Sequence, residues 1–255
     1  MLTIWLKAVC ANPHPEVNHL LFVVGKKPEF LREYGCSALL DIEMVSDAPR
    51  SIGHYHNLGA KVSSSEWIMK LDIDCVPHTN YFTELVEVLR EAGPREWFNG
   101  GMYYLERFGA VSHLTPGKMP VSPEDYYRLS SSHVTLQIPA GTNFVCRRED
   151  YLRLGGCDDR FRGYGWEDYQ QIYMLEQYQQ GKDPLPGPIS ICNVTQRCRD
   201  EISRRKAKEL IDVNDQLGLL HRWHPAVPKD ASQVLANKKV LFEYINSRRE
   251  TCASL

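Results

Sequence analysis

Short apolar runs of strand length, set between amphipathic stretches, constrain what the first part of this chain can fold into. Residues 3–9, 20–24, 39–45 and 67–73 are rich in branched and aromatic side chains and read as strands. Residues 28–34 begin at Pro28 and stop before Gly35, which predicts a short helix. Residues 51–64 carry Ile52, Tyr55, Leu58 and Val62 at helical spacing. Residues 79–92 line Phe82, Leu85, Val86 and Leu89 along one side of a helix that Gly93-Pro94 ends. Strand, helix and strand in this order predict an α/β fold with a central, mostly parallel sheet flanked by helices.

From 99 to 139 the periodicity breaks down into Gly, Pro, Ser and paired Tyr, which reads as extended hairpins and a long surface loop of the functional kind. Residues 201–217 read as a charged helix that packs through Ile202, Leu210, Ile211 and Val213. No repeat, low-complexity tract or domain boundary is visible, so the 255 residues read as one domain. No apolar run approaches the roughly 18–20 residues of a membrane-spanning helix, and the amino terminus lacks the basic start of a signal peptide. Thirty Lys and Arg stand against 32 Asp and Glu, a formal charge of −2 that argues against nucleic acid as a partner. Eight cysteines without a CxxC pair fit reduced thiols in the cytosol. The sequon at Asn193 matters only in a secretory pathway, which nothing else advertises.

Three constellations carry chemistry. The first is Asp72-Ile73-Asp74, followed by Pro77, at the end of the fourth apolar run. On a strand the two carboxylates share one face, at the edge where ligands bind in open α/β sheets. They repel unless a cation or proton joins them, so a divalent metal completed by substrate phosphates is one reading and a solvated acidic turn the other. The second runs from Gly155 through Gly163, Tyr164, Gly165 and Trp166 to Glu167-Asp168, where a helix over 169–178 begins. Its glycines allow tight turns and its aromatics offer platforms for sugars, while an acidic pair at a helix start is also ordinary capping. The third is His221 with His224, three apart, which suits metal ligation or two lone surface histidines.

Taken in this order, the three resemble glycosyltransferases of the GT-A fold, closest to the carboxy-terminal domain of the β-1,4-galactosyltransferases and related bacterial polysaccharide enzymes. Asp72-Ile73-Asp74 with Pro77 resembles that family's DxD element, and Asn57-Leu58-Gly59 its upstream Asn-x-Gly. Residues 141–156 resemble its run into the acceptor site. Gly163-Tyr164-Gly165-Trp166-Glu167-Asp168 resembles its Gly-Trp-Gly-x-Glu-Asp signature, with Tyr164 in place of tryptophan. His221-x-x-His224 falls where the family has Met-x-x-His, and Ile52 occupies the place of a nucleotide-binding arginine.

The resemblance implies a single GT-A domain, with a nucleotide-sugar half over 1–98 and an acceptor half over 99–255. It implies an inverting transfer of galactose or N-acetylgalactosamine from a UDP-sugar to a glycan hydroxyl. A divalent cation, Mn2+ in preference to Mg2+, would lie on Asp74, His221 and His224, with Asp72 on metal or ribose and Asn57 near the nucleotide. Asp168 would be the general base, Glu167 would orient sugar hydroxyls, and Tyr164, Gly165 and Trp166 would shape the sugar site. The absence of a Golgi-type stem and anchor points to bacterial surface polysaccharide synthesis in the cytoplasm, with a free or lipid-linked glycan acceptor. The basic residues Arg204, Arg205, Lys206, Lys208, Arg248 and Arg249 are candidates for peripheral contact with the inner membrane face. The competing readings are a non-catalytic carbohydrate- or nucleotide-binding protein and a metal-dependent nucleotidyltransferase or phosphohydrolase, the latter without its usual phosphate-binding loop.

Overall fold

The computed structural model describes residues 2–24, 29, 31, 40–45, 51–107, 112–132, 134–163, 165–179, 181, 219–222 and 230–253. The helix expected over 28–34 lies largely outside these residues; the one expected over 201–217, Tyr164 and His224 lie wholly outside them.

The chain opens with a helix, α1 (Leu2–Cys10), and not with the strand expected over 3–9. Ile4, Trp5, Leu6, Ala8 and Val9 are all buried, so the helix is apolar around most of its circumference. A buried helix and a buried strand look alike in such a short run. β1 (His19–Val24) and β2 (Leu40–Val45) follow as a parallel pair, from His19 opposite Leu40 to Val24 opposite Val45.

The second sheet has five strands in the order β3-β6-β5-β7-β4. β6 (Val134–Arg147) runs antiparallel to both β3 (Trp67–Met69) and β5 (Phe98–Leu105). β7 (Leu219–His221) lies parallel to β5 and antiparallel to β4 (Cys75–Val76). Parallel pairing between the named strands is thus confined to β1–β2 and β5–β7, which corrects the expectation of a mostly parallel central sheet. The reason lies in the 99–139 region. It forms β5, a helix and the start of β6, and that connection returns the chain antiparallel beside the strand it left.

α2 (Ile52–Val62) starts at Ser51, whose hydroxyl accepts from the His54 N–H at 3.2 Å. α3 (Tyr81–Arg90) buries Tyr81, Phe82, Leu85 and Val86, the side expected from the sequence. α4 (Pro123–Ser132) is the helix inside the 99–139 region, with Tyr126 and Leu129 buried one turn apart. α5 (Arg148–Arg153), α6 (Glu167–Gln179) and the long α7 (Ala231–Ala253) complete the set. One core joins Trp5, Leu6, Leu21, Phe82, Met102 and Leu219, which locks α1 and α3 across the strands. Another joins Cys157, Phe161, Tyr173, Leu241, Tyr244 and Ile245, which seats α7 against α6 and the loop before it. Burying each such large apolar side chain is worth roughly 1.5–3 kcal/mol, enough to fix these elements around one cleft. Among the described residues, no helix is long and apolar enough to cross a membrane.

Candidate functional site

β3 ends at Met69, earlier than the strand expected over 67–73, so Asp72 and Asp74 sit in a turn between β3 and β4. Backbone bonds hold that turn. The Lys70 N–H donates to the Phe144 carbonyl at 3.0 Å, and the Cys75 N–H donates to the Asp72 carbonyl at 3.0 Å. The Arg222 N–H donates to the Asp74 carbonyl at 2.8 Å, just past the register pair Cys75–His221. This brings Asp74 Oδ2 to 3.3 Å from His221 Nε2. The His221 ring is stacked on Tyr104, with centroids 4.1 Å apart, and is thereby fixed in orientation. His221 is the last residue of strand β7.

The second part of the site is a loop held by buried amides. Gly155 and Gly156 take φ values of 93° and 62°, beyond the easy reach of other residues. A Cβ on Gly156 would meet Asn57 Oδ1 at 2.4 Å. Asn57 donates through Nδ2 to the Cys157 carbonyl at 2.7 Å, and its Oδ1 accepts from the Cys157 N–H at 2.8 Å and from Tyr151 Oη at 2.9 Å. Its amide is therefore engaged in the loop and turned from the nucleotide contact that the resemblance implies. Gln170 bonds the Asp158 N–H and the Gly156 carbonyl, each at 3.0 Å. From α7, Asn237 donates to the carbonyls of Arg162 and Gly165 at 2.7 and 3.0 Å. Gly165 has φ 107° and Trp166, unusually for a side-chain-bearing residue, φ 74°. The Trp166 ring packs on Tyr169 at 5.3 Å and lies beneath the Lys238 ammonium.

That loop delivers Glu167 and Asp168 to the first turn of α6. Asp168 Oδ1 accepts from Lys70 Nζ at 2.5 Å, across 98 residues of chain. Lys70 is almost wholly buried. Burial works against its charge, but the carboxylates of Asp168, Asp72 and Glu167 outweigh it and hold the ammonium above the usual lysine range. His56, also buried, is pushed down by desolvation and then by the Lys70 charge, so it is a neutral imidazole.

The carboxylates respond in the opposite sense. Burial raises Asp72 to about 6; Asp168 and Asp74 push the same way, against the pull of Lys70 and His221. Glu167 is fully buried, and both its oxygens lack a completed hydrogen bond, although the N–H groups of Gly165 and Glu167 lean toward them. Burial first and Asp168 second raise it to about 7. Lys70, Asp72 and Asp74 line a cleft of about 1080 Å³ that extends past His56 and Tyr55 to Phe22.

The structure thus brings Asp72, Asp74 and His221 together and sets Asp168 close to both Lys70 and Asp72, with Glu167 also near Lys70. Asn57, Gly165 and Trp166 shape the loop instead of the cleft. Among the described residues, no group of three or more His, Cys, Asp or Glu side chains is arranged to hold a metal ion. Lys70 is the residue that sequence reasoning missed; its one signal was even spacing with Asp72 and Asp74.

No known protein-family description matches the chain. No curated protein matches it in sequence. Solved structures that it resembles include glycosyltransferases. One is the mannosyltransferase PcManGT from Pyrobaculum calidifontis in complex with GDP-Man and Mn2+, at TM-score 0.45 and 16% identity over 70% of this chain and 48% of that one. A second is GalNAc-T7 with UDP, GalNAc and Mn2+, at TM-score 0.43 and 16% identity over 67% and 37%. A third is the catalytic domain of Drosophila β1,4-galactosyltransferase 7 in complex with xylobiose, at TM-score 0.32 and 16% identity over 64% and 63%. The chain spans less than half the length of the first two and under two thirds of the third.

Proposed function

We propose that this chain is a metal-dependent glycosyltransferase that moves a sugar from a UDP-sugar to a glycan hydroxyl with inversion. The observation that carries the reading is the Lys70–Asp168 contact, because it joins the Asp72–Asp74 turn, which lines the cleft, to the Glu167–Asp168 helix start. Two acidic pairs that converge from so far apart in sequence are costly to a fold that has no use for them.

Each residue then has a task. Asp168, one fifth exposed, accepts the proton of the acceptor hydroxyl as that oxygen attacks the anomeric carbon. The bond to the UDP oxygen breaks on the opposite face, which inverts the centre. The Asp168 carboxylate also faces an oxocarbenium-like transition state and lowers its energy electrostatically. Glu167, expected to orient sugar hydroxyls, is fully buried next to Asp168 in sequence, and its carboxyl is raised to about 7. The nitrogen and oxygen donors of His221 and Asp74, 3.3 Å apart, would hold Mn2+ or a similar ion, and Asp72 and His224 would be its further ligands. Bound there with the donor, such a cation supplies Lewis-acid stabilisation of the departing diphosphate. Galactose or N-acetylgalactosamine is the favoured sugar, and bacterial surface polysaccharide synthesis the favoured setting.

A thermal-shift panel of UDP, UDP-galactose and UDP-N-acetylgalactosamine, with and without Mn2+, tests this. Stabilisation that requires nucleotide and Mn2+ together is expected; no response to any nucleotide in the presence of metal sinks the reading. Asp168→Asn should lower transfer by about 10²–10⁴-fold and leave the UDP–Mn2+ shift intact. A shift without turnover in the unaltered protein would favour a non-catalytic nucleotide-sugar-binding role.

A further inference from the structure

We propose that Lys70 is the positioning residue for Asp168: it holds one carboxylate oxygen and leaves the other open to the acceptor hydroxyl. The inference rests on the glycosyltransferase reading and assigns a role that reading does not require.

Three features of the geometry carry it. The ammonium touches Oδ1 of Asp168 at 2.5 Å, with the lysine side chain 3% exposed and the aspartate 20% exposed. The buried end of the pair is thus the cation, and the end that reaches solvent is the carboxylate. The lysine backbone is itself fixed, because its N–H bonds the Phe144 carbonyl where β3 leaves β6. A short strand end therefore sets the ammonium, and the ammonium sets the carboxylate.

The chemistry suits a base. Lysine is a point charge with no fork, so it can engage a single carboxylate oxygen where arginine favours both. Removing it would leave Asp168, Asp72 and Glu167 as close neighbours without the Lys70 ammonium they share. The aspartate, already 20% exposed, would then turn toward solvent, since Asp72 nearby carries a like charge. Lys70 touches neither the sugar nor the hydroxyl in this scheme and acts only through Asp168.

A double-mutant cycle separates this from a scaffold role. Lys70→Met should lower kcat at least 100-fold, retain the Mn2+-dependent shift with UDP, and cost less than about 3-fold further in the Asp168→Asn background. Wild-type turnover in Lys70→Met, loss of the UDP–Mn2+ response, or an undiminished penalty in the Asp168→Asn background would each overturn the proposal. Folding is followed in parallel. If Lys70→Met fails to fold while Lys70→Met/Asp168→Asn folds, the pair is confirmed as the unit; if the double variant also fails to fold, Lys70 is scaffold and the proposal falls. Absence of transfer by the unaltered protein would take down the glycosyltransferase reading and this inference together, whereas full activity in Lys70→Met would take down this inference alone.

Discussion

The loop before α6 and the acidic cluster it leads into adjoin in the chain and are stabilised in opposite ways. Along the loop, Asn57, Gln170 and Asn237 match backbone donors and acceptors with side-chain amides at 2.7–3.0 Å. At the cluster, Glu167 has no completed hydrogen bond, and Asp72 lies close enough to Asp74 and Asp168 for their charges to raise it. Buried polar groups are almost always satisfied, so the contrast locates where the fold is finished and where it is not. The loop needs no ligand to hold its shape, while the carboxylates gain from anything that brings positive charge.

The largest effect should come from breaking the finished side. Asn57→Ala leaves the Cys157 carbonyl and the Tyr151 O–H without their bonds in a buried setting, and leaves the Cys157 N–H only its 3.2 Å bond to Tyr151 Oη. At about 1–3 kcal/mol for each orphaned group, with partial relaxation, a loss of about 4 kcal/mol is expected in urea unfolding. A loss under about 1 kcal/mol would mean that packing alone holds the loop. Adding UDP and Mn2+ should not rescue this variant preferentially.

The unfinished side should respond with the opposite sign. Glu167 has its pKa raised from 4.5 to about 7, so the unfolded chain releases that proton first as pH rises. Stability from this group is complete below about pH 4.5 and is lost as pH climbs through about 7. Glu167→Gln should flatten that slope and stabilise the metal-free protein at pH 8 by on the order of 3 kcal/mol, each tenfold change in proton affinity being worth about 1.4 kcal/mol. Urea midpoints at pH 4.5 and pH 8 check it. An unchanged difference between the two pH values would show that the carboxyl is already satisfied.

Much of the frame was legible in the residues, and what was not has physical reasons. α2, α3 and α6 show a clear stripe or start signal, and β1 and β2 are compact branched runs. α1 was misread because Ile4, Trp5, Leu6, Ala8 and Val9 are buried on nearly every side, which erases the helical period. α4 did carry a signal in Ser122-Pro123-Glu124-Asp125, where the Ser122 hydroxyl accepts from the Asp125 N–H, but the surrounding Tyr and Ser masked it. α7 was equally announced by Asp230, which accepts from the N–H groups of Ser232 and Gln233. Strand direction is a long-range property, and nothing local records that β6 returns antiparallel to β5. At the site, residue type and spacing pick out Asp72, Asp74, Glu167 and Asp168. They do not pick out Lys70, since a lysine before two aspartates reads as a solvated charge until a partner 98 positions away buries it. Asn57 errs the other way, because its type suits a ligand while its amide is already used.

The smallest change in the metal-free protein should come from Asp74, and that smallness is informative. Its backbone carbonyl, which accepts from the Arg222 N–H, holds the turn and survives any side-chain replacement. Its carboxylate meets His221 at 3.3 Å, a partly exposed contact of the kind worth about 0–1 kcal/mol, and it also repels buried Asp72. The two contributions oppose each other, so Asp74→Asn should shift metal-free stability by less than about 1 kcal/mol. The same variant should lose the extra stabilisation that UDP and Mn2+ give together, because an amide binds a divalent cation more weakly than a carboxylate. A large loss of metal-free stability would place Asp74 with the finished loop. A preserved Mn2+ response would remove it from the cation site, and would leave His221 and Asp72 to account for metal binding.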